Sequence, residues 1–187
     1  MNYAEIKKFD IANGPGIRIS LFVSGCRHRC KNCFNSLAWD FNYGAPFTKS
    51  TAREILELAA PSYVEGLSIL GGEPFEPENR GQLIDLLKDF KKLYPQKNVW
   101  CYTGFVLDKE LIFENSSVKS DVLDLLSLID VLVDGRFEES LKSPALLFRG
   151  SSNQRIIDVR QTLKEGHTVL LKGKWERQMG STNIDEL

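Results

Sequence analysis

Short β-rich runs recur along this chain and are separated by runs of helical periodicity. Residues 17–23 alternate apolar and polar side chains, as a strand with one buried face does. Similar runs of strand-forming residues follow further along. They predict strands at 67–70, 98–102 and 130–133, and a last strand at 155–158 or at 168–171.

Apolar residues spaced three and four apart predict the helices between these strands. One such face covers Leu83–Leu93 and ends before Pro95. Another helix is predicted to begin with a capping box at Thr51–Glu54 and to stop before Pro61. A third helix is predicted over Val122–Ile129 and leads into the strand that follows it.

The spacing of three of these strands indicates the fold class. They recur at intervals of roughly 30 residues, which is the length of one βαβ unit. The pattern therefore predicts an α/β fold with a parallel sheet covered by helices, either open or curled toward a barrel. A complete eightfold barrel typically needs about 250 residues, and this chain has 187. In either geometry, the functional face is at the C-terminal ends of the strands.

Composition and charge narrow the function classes. Apolar residues make up 42% of the chain and charged residues 26%, so an ordinary globular core is expected. The net charge of −1 argues against a general nucleic-acid binder. No apolar run approaches the roughly 20 residues that span a bilayer, and residues 1–8 lack the apolar core of a signal peptide. We therefore expect a cytoplasmic protein that binds neither nucleic acid nor membrane.

The most specific chemical signal is a cluster of three cysteines directly after the first predicted strand. Cys26, Cys30 and Cys33 have the spacing C-x-x-x-C-x-x-C. Three thiolates in one loop can hold a soft metal or an iron–sulfur cluster. A [4Fe-4S] cube with three protein ligands keeps one iron open to another molecule, and such an incomplete ligand set is typical of catalytic metal sites.

Two questions about this cluster stay open on the residues alone. Four of the five residues between the cysteines are basic (Arg, His or Lys), so they either lower the thiol pKa values or form a solvated rim. A structural zinc site is the main alternative, with His28 as a candidate fourth ligand. Cys101 lies within an apolar run, where a single cysteine is usually a core residue.

The cysteine motif followed by Phe34 resembles the radical S-adenosylmethionine (radical SAM) superfamily. Residues 10–18 resemble the N-terminal segment of the glycyl-radical-enzyme activases. Further matching motifs follow in order and make the chain similar to the activases of anaerobic ribonucleoside-triphosphate reductases over residues 1–158. These motifs are Leu21–Cys26, Gly71–Pro74, Trp100–Gly104, Val131–Phe137 and Phe148–Arg155.

The resemblance implies a specific chemistry. Cys26, Cys30 and Cys33 would ligate a [4Fe-4S] cluster, and SAM would bind the open iron through its amino and carboxylate groups. Electron transfer from the cluster would cleave SAM to methionine and a 5′-deoxyadenosyl radical. That radical would remove a hydrogen atom from a glycine of the large subunit of an anaerobic ribonucleoside-triphosphate reductase. The resemblance also implies a flavodoxin-type electron donor.

The resemblance implies roles for further residues of a radical SAM partial barrel over residues 1–158. Asn32, Cys33 and Phe34 would hold the adenine, and the carbonyls of Gly71 and Gly72 would bind the SAM ammonium group, with help from Glu73. Thr103 and Asp134 would meet the ribose or the methionine part, with a turn or capping role as the alternative for each. Residues 159–187 are expected to form a C-terminal extension, with a mobile polar tail from Lys172 onward.

Two other segments receive expectations from this resemblance. Residues 13–16 would form a rim near the incoming glycyl loop, with Arg18 inside the barrel. The polar cluster in residues 149–154 would close either the site or a partner interface. The rival functions are an activase of another glycyl-radical enzyme, a small-molecule radical SAM enzyme and, from a different class, a zinc-stabilised binding module.

Overall fold

The computed structural model describes residues 1–113 and 119–173, and a single mixed sheet of seven strands forms the centre of this part of the chain. The order of the strands across the sheet is β3-β1-β2-β4-β5-β6-β7. The strands are β1 (Asn2–Asp10), β2 (Ile17–Val23), β3 (Ala45–Pro46), β4 (Val64–Gly71), β5 (Asn98–Tyr102), β6 (Val131–Asp134) and β7 (Arg155–Asp158).

Helices connect the central strands. A helix follows each of β3, β4 and β7, and another precedes β6. They are α1 (Lys49–Ala59), α2 (Pro77–Leu93), α3 (Ser120–Ser127) and α4 (Val159–Glu165). Shorter helical turns lie at Ser36–Trp39, Leu107–Leu111 and Glu139–Leu141. None of the helices in the described part of the chain has the length and apolarity needed to cross a membrane.

The centre of the sheet is parallel and its edges are antiparallel. β2 pairs with β4, β4 with β5, and β5 with β6, all in parallel. β1 is antiparallel to both β2 and β3, and β7 is antiparallel to β6. The predicted parallel sheet is confirmed for four strands and is wrong for the edges. The short connection at 11–16 is long enough for an antiparallel pair, whereas each parallel pair needs a crossover.

The four helices contribute to one core. Ile55, Leu87, Leu125 and Val159 come from α1 to α4 in order, and they belong to one buried cluster with strand residues such as Leu21. Each of these side chains is at most 1% exposed, and such burial stabilises the fold by roughly 1.5–3 kcal/mol per residue. Because the helices share this core, they cover one face of the sheet and leave the other available for a site.

The opposite face of the sheet carries Arg18 and Trp100. The Arg18 side chain, expected inside the barrel, is fully buried. It donates from Nε to Ser68 Oγ at 2.7 Å and from Nη2 to the carbonyl of Leu67 at 2.9 Å, and its guanidinium lies 5.8 Å from the centre of the Trp100 ring. Phe148 packs edge-on against Trp100 and covers part of this face. The Arg18 hydrogen bonds tie β2 to β4 on this inner face.

The start of α1 differs from the prediction. The N-cap is Thr48, and its side chain accepts a hydrogen bond from the backbone of Thr51, which is the third residue of the helix. The predicted box at Thr51–Glu54 was therefore placed three residues too late. The Thr48 amide in turn donates a hydrogen bond to the Thr51 hydroxyl oxygen. Threonine therefore takes the place of the glutamate in the usual capping box.

The first part of the predicted C-terminal extension packs on the sheet. Val159 and Thr162 of α4 are buried, and Leu170 forms a single bridge with Ile157 of β7. The last strand is therefore 155–158, and 168–171 contributes only this bridge. The predicted tail from Lys172 onward lies almost entirely in residues 174–187, which are outside the described residues. The predicted division of the chain at residue 158 stays a prediction.

We predict that Leu87→Ala lowers the free energy of unfolding by about 2–5 kcal/mol, because it leaves a cavity between α2 and the sheet. Leu93→Ala on the same helix is the control, since Leu93 is 55% exposed, and it should cost less than about 0.5 kcal/mol. Urea unfolding measures both. Equal losses in the two variants would contradict the packing described for α2.

Candidate active site

The cysteine loop begins where β2 ends, and the short helix that follows the loop anchors its first residues. The Gly25 amide donates to the Ala38 carbonyl at 2.8 Å, and the Cys26 amide donates to the Trp39 carbonyl at 3.2 Å. Gly25 has a φ of 93°, and a Cβ at this position would lie 2.3 Å from the ring of Phe41. Glycine is therefore required at the point where the strand turns into the loop.

One cavity of about 470 Å³ lies at the C-terminal ends of the parallel strands, where the sequence places the functional face. Cys26, Cys30 and Cys33 all line it, each partly buried and each with a free thiol. The remaining wall comes from the rest of the cysteine loop and the short helix after it, from the ends of β4 and β5 and the turns that follow them, from the turns after β1 and β6, and from the segment before β7. Its residues are Ala12, Asn13, His28, Asn32, Phe34, Trp39, Leu70–Glu73, Tyr102–Gly104, Gly135, Phe137, Lys142, Leu146, Phe148–Gly150 and Gln154.

Asp134 is the predicted site residue that does not line this cavity. It is 1% exposed, and its carboxylate accepts hydrogen bonds from Arg155 Nε at 2.9 Å and from the Leu107 amide at 2.8 Å. These contacts fit the turn role that was the alternative for Asp134. The structure brings the other predicted residues together on the cavity wall: Asn32, Phe34, Gly71, Gly72, Glu73, Thr103 and the three cysteines.

The glycine pair after β4 brings its backbone close to the cysteine loop. The Gly72 amide donates to the Val23 carbonyl at 2.6 Å. A Cβ on Gly72 would lie 2.6 Å from the carbonyl oxygen of Gly25, and Gly71 has a φ of 107°. The two glycines therefore place main-chain atoms, without side chains, on the wall of the cavity.

Glu73 connects three turns through its buried carboxylate. Oε1 accepts from the Phe75 amide at 2.9 Å and from Thr103 Oγ1 at 2.8 Å. Oε2 accepts from the Gly104 amide at 2.7 Å and lies 3.0 Å from His28 Nε2. These hydrogen bonds satisfy a carboxylate that is 1% exposed. The predicted help of Glu73 in attracting an ammonium group stays a prediction.

Burial, and not the basic residues of the cysteine loop, decides the direction of the pKa shift at Cys26 and at Cys30. Arg27 forms ion pairs with Glu76 and Glu78, on the outside of the loop. Burial raises the pKa of Cys26 to about 11, and burial also raises the pKa of Cys30. Of the two alternatives left open by the sequence, lowered pKa values do not apply to these two thiols, and the exposed Arg27 side chain fits the solvated rim. Because thiols bind metals as thiolates, each of these groups gives up its proton when it becomes a ligand.

Comparisons with known proteins place the chain in a family. A family model described as a 4Fe-4S single cluster domain matches residues 12–157. The anaerobic ribonucleoside-triphosphate reductase-activating protein of Escherichia coli (strain K12) is 40% identical over 162 residues, which cover 86% of this chain and 100% of that protein. This chain belongs to the family of anaerobic ribonucleoside-triphosphate reductase-activating proteins.

Other members of the family are similar over a comparable share of the chain. The protein of the same name from Enterobacteria phage T4 is 37% identical over 156 residues, covering 83% of this chain and 93% of that protein. The one from Pasteurella multocida (strain Pm70) is 39% identical over 160 residues, covering 83% and 96%.

The donor set of the cavity fits the cluster of the family model. Three free thiols on one loop provide soft sulfur ligands, and all three line the same cavity. The three thiols share the cavity but are not yet gathered around one point: within residues 1–113 and 119–173, no three His, Cys, Asp or Glu side chains are arranged to hold a metal ion. Cys101 is 1% exposed in the core beneath the helices, so its predicted core role is confirmed.

Some cavity residues carried no signal in the sequence. Trp39, Lys142 and Leu146 line the cavity, yet each lies outside every motif that sequence reasoning selected. Their position depends on contacts between distant segments. The polar cluster at 149–154 was selected, and its role on the site side is supported because Arg149 and Gln154 line the cavity.

We predict that Gly72→Ala lowers the free energy of unfolding by about 1–3 kcal/mol, because the added methyl group meets the Gly25 carbonyl. Gly81→Ala is the matched control: no atom lies within 4 Å of a Cβ there, and alanine favours the helix by up to about 1 kcal/mol. Urea unfolding of both variants tests this close approach. If both substitutions stabilise the protein, the described contact between the glycine turn and the cysteine loop is wrong.

Proposed function

We propose that this chain activates an anaerobic ribonucleoside-triphosphate reductase by generating a glycyl radical on it, through reductive cleavage of SAM at a [4Fe-4S] cluster. The observation that carries the proposal is the shared cavity. The three thiols of the C-x-x-x-C-x-x-C loop and the backbone of Gly71–Gly72 line the same space, in a member of the reductase-activating family. The proposal assigns the chain to the radical SAM superfamily.

In this proposal, Cys26, Cys30 and Cys33 are the protein ligands of the cluster and leave one iron open. When bound, the cluster and SAM supply the one-electron cleavage of a sulfonium C–S bond. The protein contributes binding, orientation and electrostatics. Burial of Cys26 and Cys30 supports this role, because a partly enclosed cluster is shielded from water.

The remaining wall of the cavity offers contacts of the kinds that SAM needs. The carbonyls of Gly71 and Gly72 would accept hydrogen bonds from its ammonium group. Phe34 is 87% exposed and offers apolar surface for the adenine, beside the backbone of Asn32 and Cys33. Thr103 would help hold the ribose or the methionine part.

We propose an indirect role for Asp134. Its carboxylate is occupied by Arg155 and by the Leu107 amide, so these contacts support a role in shaping the turn after β6. In this role, Asp134 orients the Gly135 backbone on the cavity wall, and the ribose contact implied by the resemblance is not part of the proposal.

The architecture supports a partial barrel of the radical SAM type. Four parallel strands have helices packed on one face, and the cavity lies at their C-terminal ends. A doubly wound sheet would carry helices on both faces. A sector of a barrel, by contrast, has helices outside and the site within.

The proposed partners are the large subunit of the reductase, whose glycine is the substrate, and a flavodoxin-type protein as electron donor. We place the reaction in the cytoplasm, because a reducing compartment keeps Cys26, Cys30 and Cys33 as free thiols that can ligate a cluster. The name of the related proteins supports the reductase as partner.

We predict that anaerobically reconstituted protein, mixed with SAM, a reductant and the reductase, yields 5′-deoxyadenosine and a glycyl radical detected by electron paramagnetic resonance (EPR). Cys26→Ala, Cys30→Ala and Cys33→Ala should each abolish both products, because each removes a ligand of the cluster. Cys101→Ala is the matched control and should retain both, since Cys101 lies in the core away from the cavity.

Two outcomes would contradict specific parts of this proposal. Cleavage of SAM without a glycyl radical on the reductase would show that the substrate is wrong. Loss of the cluster in folded Cys101→Ala would show that the ligand set is wrong. Colourless protein with one tightly bound zinc after anaerobic reconstitution would instead support a zinc-stabilised binding module.

A further inference from the structure

His28 lies inside the cysteine loop, yet its side chain is directed to another part of the fold. The side chain is 7% exposed, and Nε2 lies 3.0 Å from Glu73 Oε2. The ring packs edge-on against Phe105, with 4.4 Å between the ring centres. Because a carboxylate oxygen only accepts, the ring nitrogen donates this hydrogen bond. His28 therefore contacts the turn after β4 and the turn after β5 at once.

The pocket that holds the imidazole depends on a glycine. A Cβ on Gly104 would lie 2.4 Å from Cδ2 of His28. The ring therefore occupies the space that any side chain at position 104 would need. The Gly104 amide also donates to Glu73 Oε2, the same oxygen that His28 meets. The backbone at 104 thus holds both members of the His28–Glu73 pair.

The other contacts of the loop lie at its two ends and on its outer side. The Cys26 amide donates to the Trp39 carbonyl, and the Cys33 amide donates to the Cys30 carbonyl within the loop itself. On the outer side, the Arg27 amide donates to Glu76 Oε1 at 2.8 Å and its guanidinium pairs with Glu76 and Glu78, and Asn32 Nδ2 donates to Glu139 Oε1. Between these points the chain passes through the left-handed region at Arg29 and Asn32. A loop of this shape needs a tertiary contact to fix one arrangement of its thiols.

We propose that His28 is a positioning residue that fixes the cysteine loop against the turn of Glu73, so that the three thiols and the Gly71–Gly72 carbonyls face one ligand pair. This inference rests on the proposed function for the identity of that pair. His28 touches neither ligand in this role. It acts through Glu73, whose main chain continues directly from Gly72, and it therefore sets the distance between the cluster and the SAM ammonium site.

The position of the His28–Glu73 hydrogen bond explains how it affects both the cluster site and the SAM site. The Glu73 amide donates to the Gly25 carbonyl at 2.8 Å, so the glycine turn is already joined to the start of the cysteine loop. His28 adds a second hydrogen bond between the loop and the turn, at a position two residues after Cys26 and two before Cys30. This contact fixes the middle of the loop, between Cys26 and Cys30, to the glycine turn, whereas the other contacts hold its ends and its outer side. Residues that orient metal ligands typically change metal affinity or activity about 10- to 100-fold when they are mutated.

Two substitutions separate the hydrogen bond from the packing of the ring. His28→Phe keeps a ring against Phe105 and removes the donor to Glu73. His28→Gln keeps a donor of similar reach and removes the ring. His167→Ala is the matched control, because the side chain of that histidine is 68% exposed and contacts Glu165, two residues before it.

The first measurement uses metal-free protein, so it does not depend on activity. Hydrogen–deuterium exchange is followed in residues 26–33 and, as an internal reference, in the core helix α2. We expect His28→Phe to speed exchange in the loop about tenfold with α2 unchanged, because a hydrogen bond to a charged group is lost. His28→Gln and His167→Ala should stay within about threefold of the original protein.

The second measurement uses the reconstituted protein and SAM itself as the probe. SAM is titrated against the EPR signal of the reduced cluster. We expect His28→Phe to weaken SAM binding about 10-fold or more and to broaden the SAM-bound signal, whereas His28→Gln restores both. A residue that only stabilises the fold would not change the shape of this signal.

Three outcomes would overturn the positioning role of His28. One is unchanged loop exchange and SAM affinity in His28→Phe. Another is a rise in exchange that is as large in α2 as in the loop. The third is a defect in His28→Gln as large as that in His28→Phe. If the original protein binds neither cluster nor SAM, the proposed function fails, and the exchange measurement on metal-free protein still decides whether His28 fixes the loop.

Discussion

The buried carboxylate of Glu73 is the interaction on which the site depends. A carboxylate that is 1% exposed is costly to bury unless its oxygens are hydrogen-bonded, and here four donors surround it. Those donors belong to the cysteine loop, to its own turn and to the turn after β5. Three segments that are far apart in the sequence are thereby held at one point. The cavity that they line is the one that could hold the cluster and SAM.

The topology brings these segments to the same edge of the sheet. The cysteine loop, the glycine turn and the Thr103 turn each follow one of the parallel strands β2, β4 and β5, whose C-terminal ends are neighbours. The helices α1–α4 share one core on one face, so the other face can carry Arg18, Trp100 and the cavity. The segment before β7 then covers part of the cavity with Phe148 and Arg149. One face of the sheet therefore packs against the helices and stabilises the fold, and the other face carries the cavity.

The sequence allowed much of this arrangement to be predicted. The strands β2, β4, β5 and β6 are buried and rich in strand-forming residues, so their pattern is clear. Strand β1 was missed because only Asp10 in it is buried and because it mixes Tyr3 and Ile6 with charged residues, which blurs its alternation. The antiparallel edges could not be predicted either, because strand direction depends on connections and not on the strand residues themselves.

The site was predicted where a short motif carries the signal, and was missed where a long-range contact does. The three cysteines and Gly71–Gly72 are close in sequence within their motifs, and they line one cavity. The pairing of Asp134 with Arg155 spans 21 residues, and the contact of His28 with Glu73 spans 45 residues. No pattern in the sequence identifies such partners. The raised pKa of Cys26 was missed for a related reason, since burial by the fold outweighs the basic residues beside it.

The central claim is that three protein thiolates leave one iron open for SAM in this cavity. Electron–nuclear double resonance of the reduced, reconstituted protein tests it most directly, with SAM labelled with ¹⁵N at its amino group. The account predicts a ¹⁵N coupling that shows direct ligation of the label to the cluster in the original protein. A well-formed cluster with a fourth protein ligand, and no ¹⁵N coupling at saturating SAM, would contradict it.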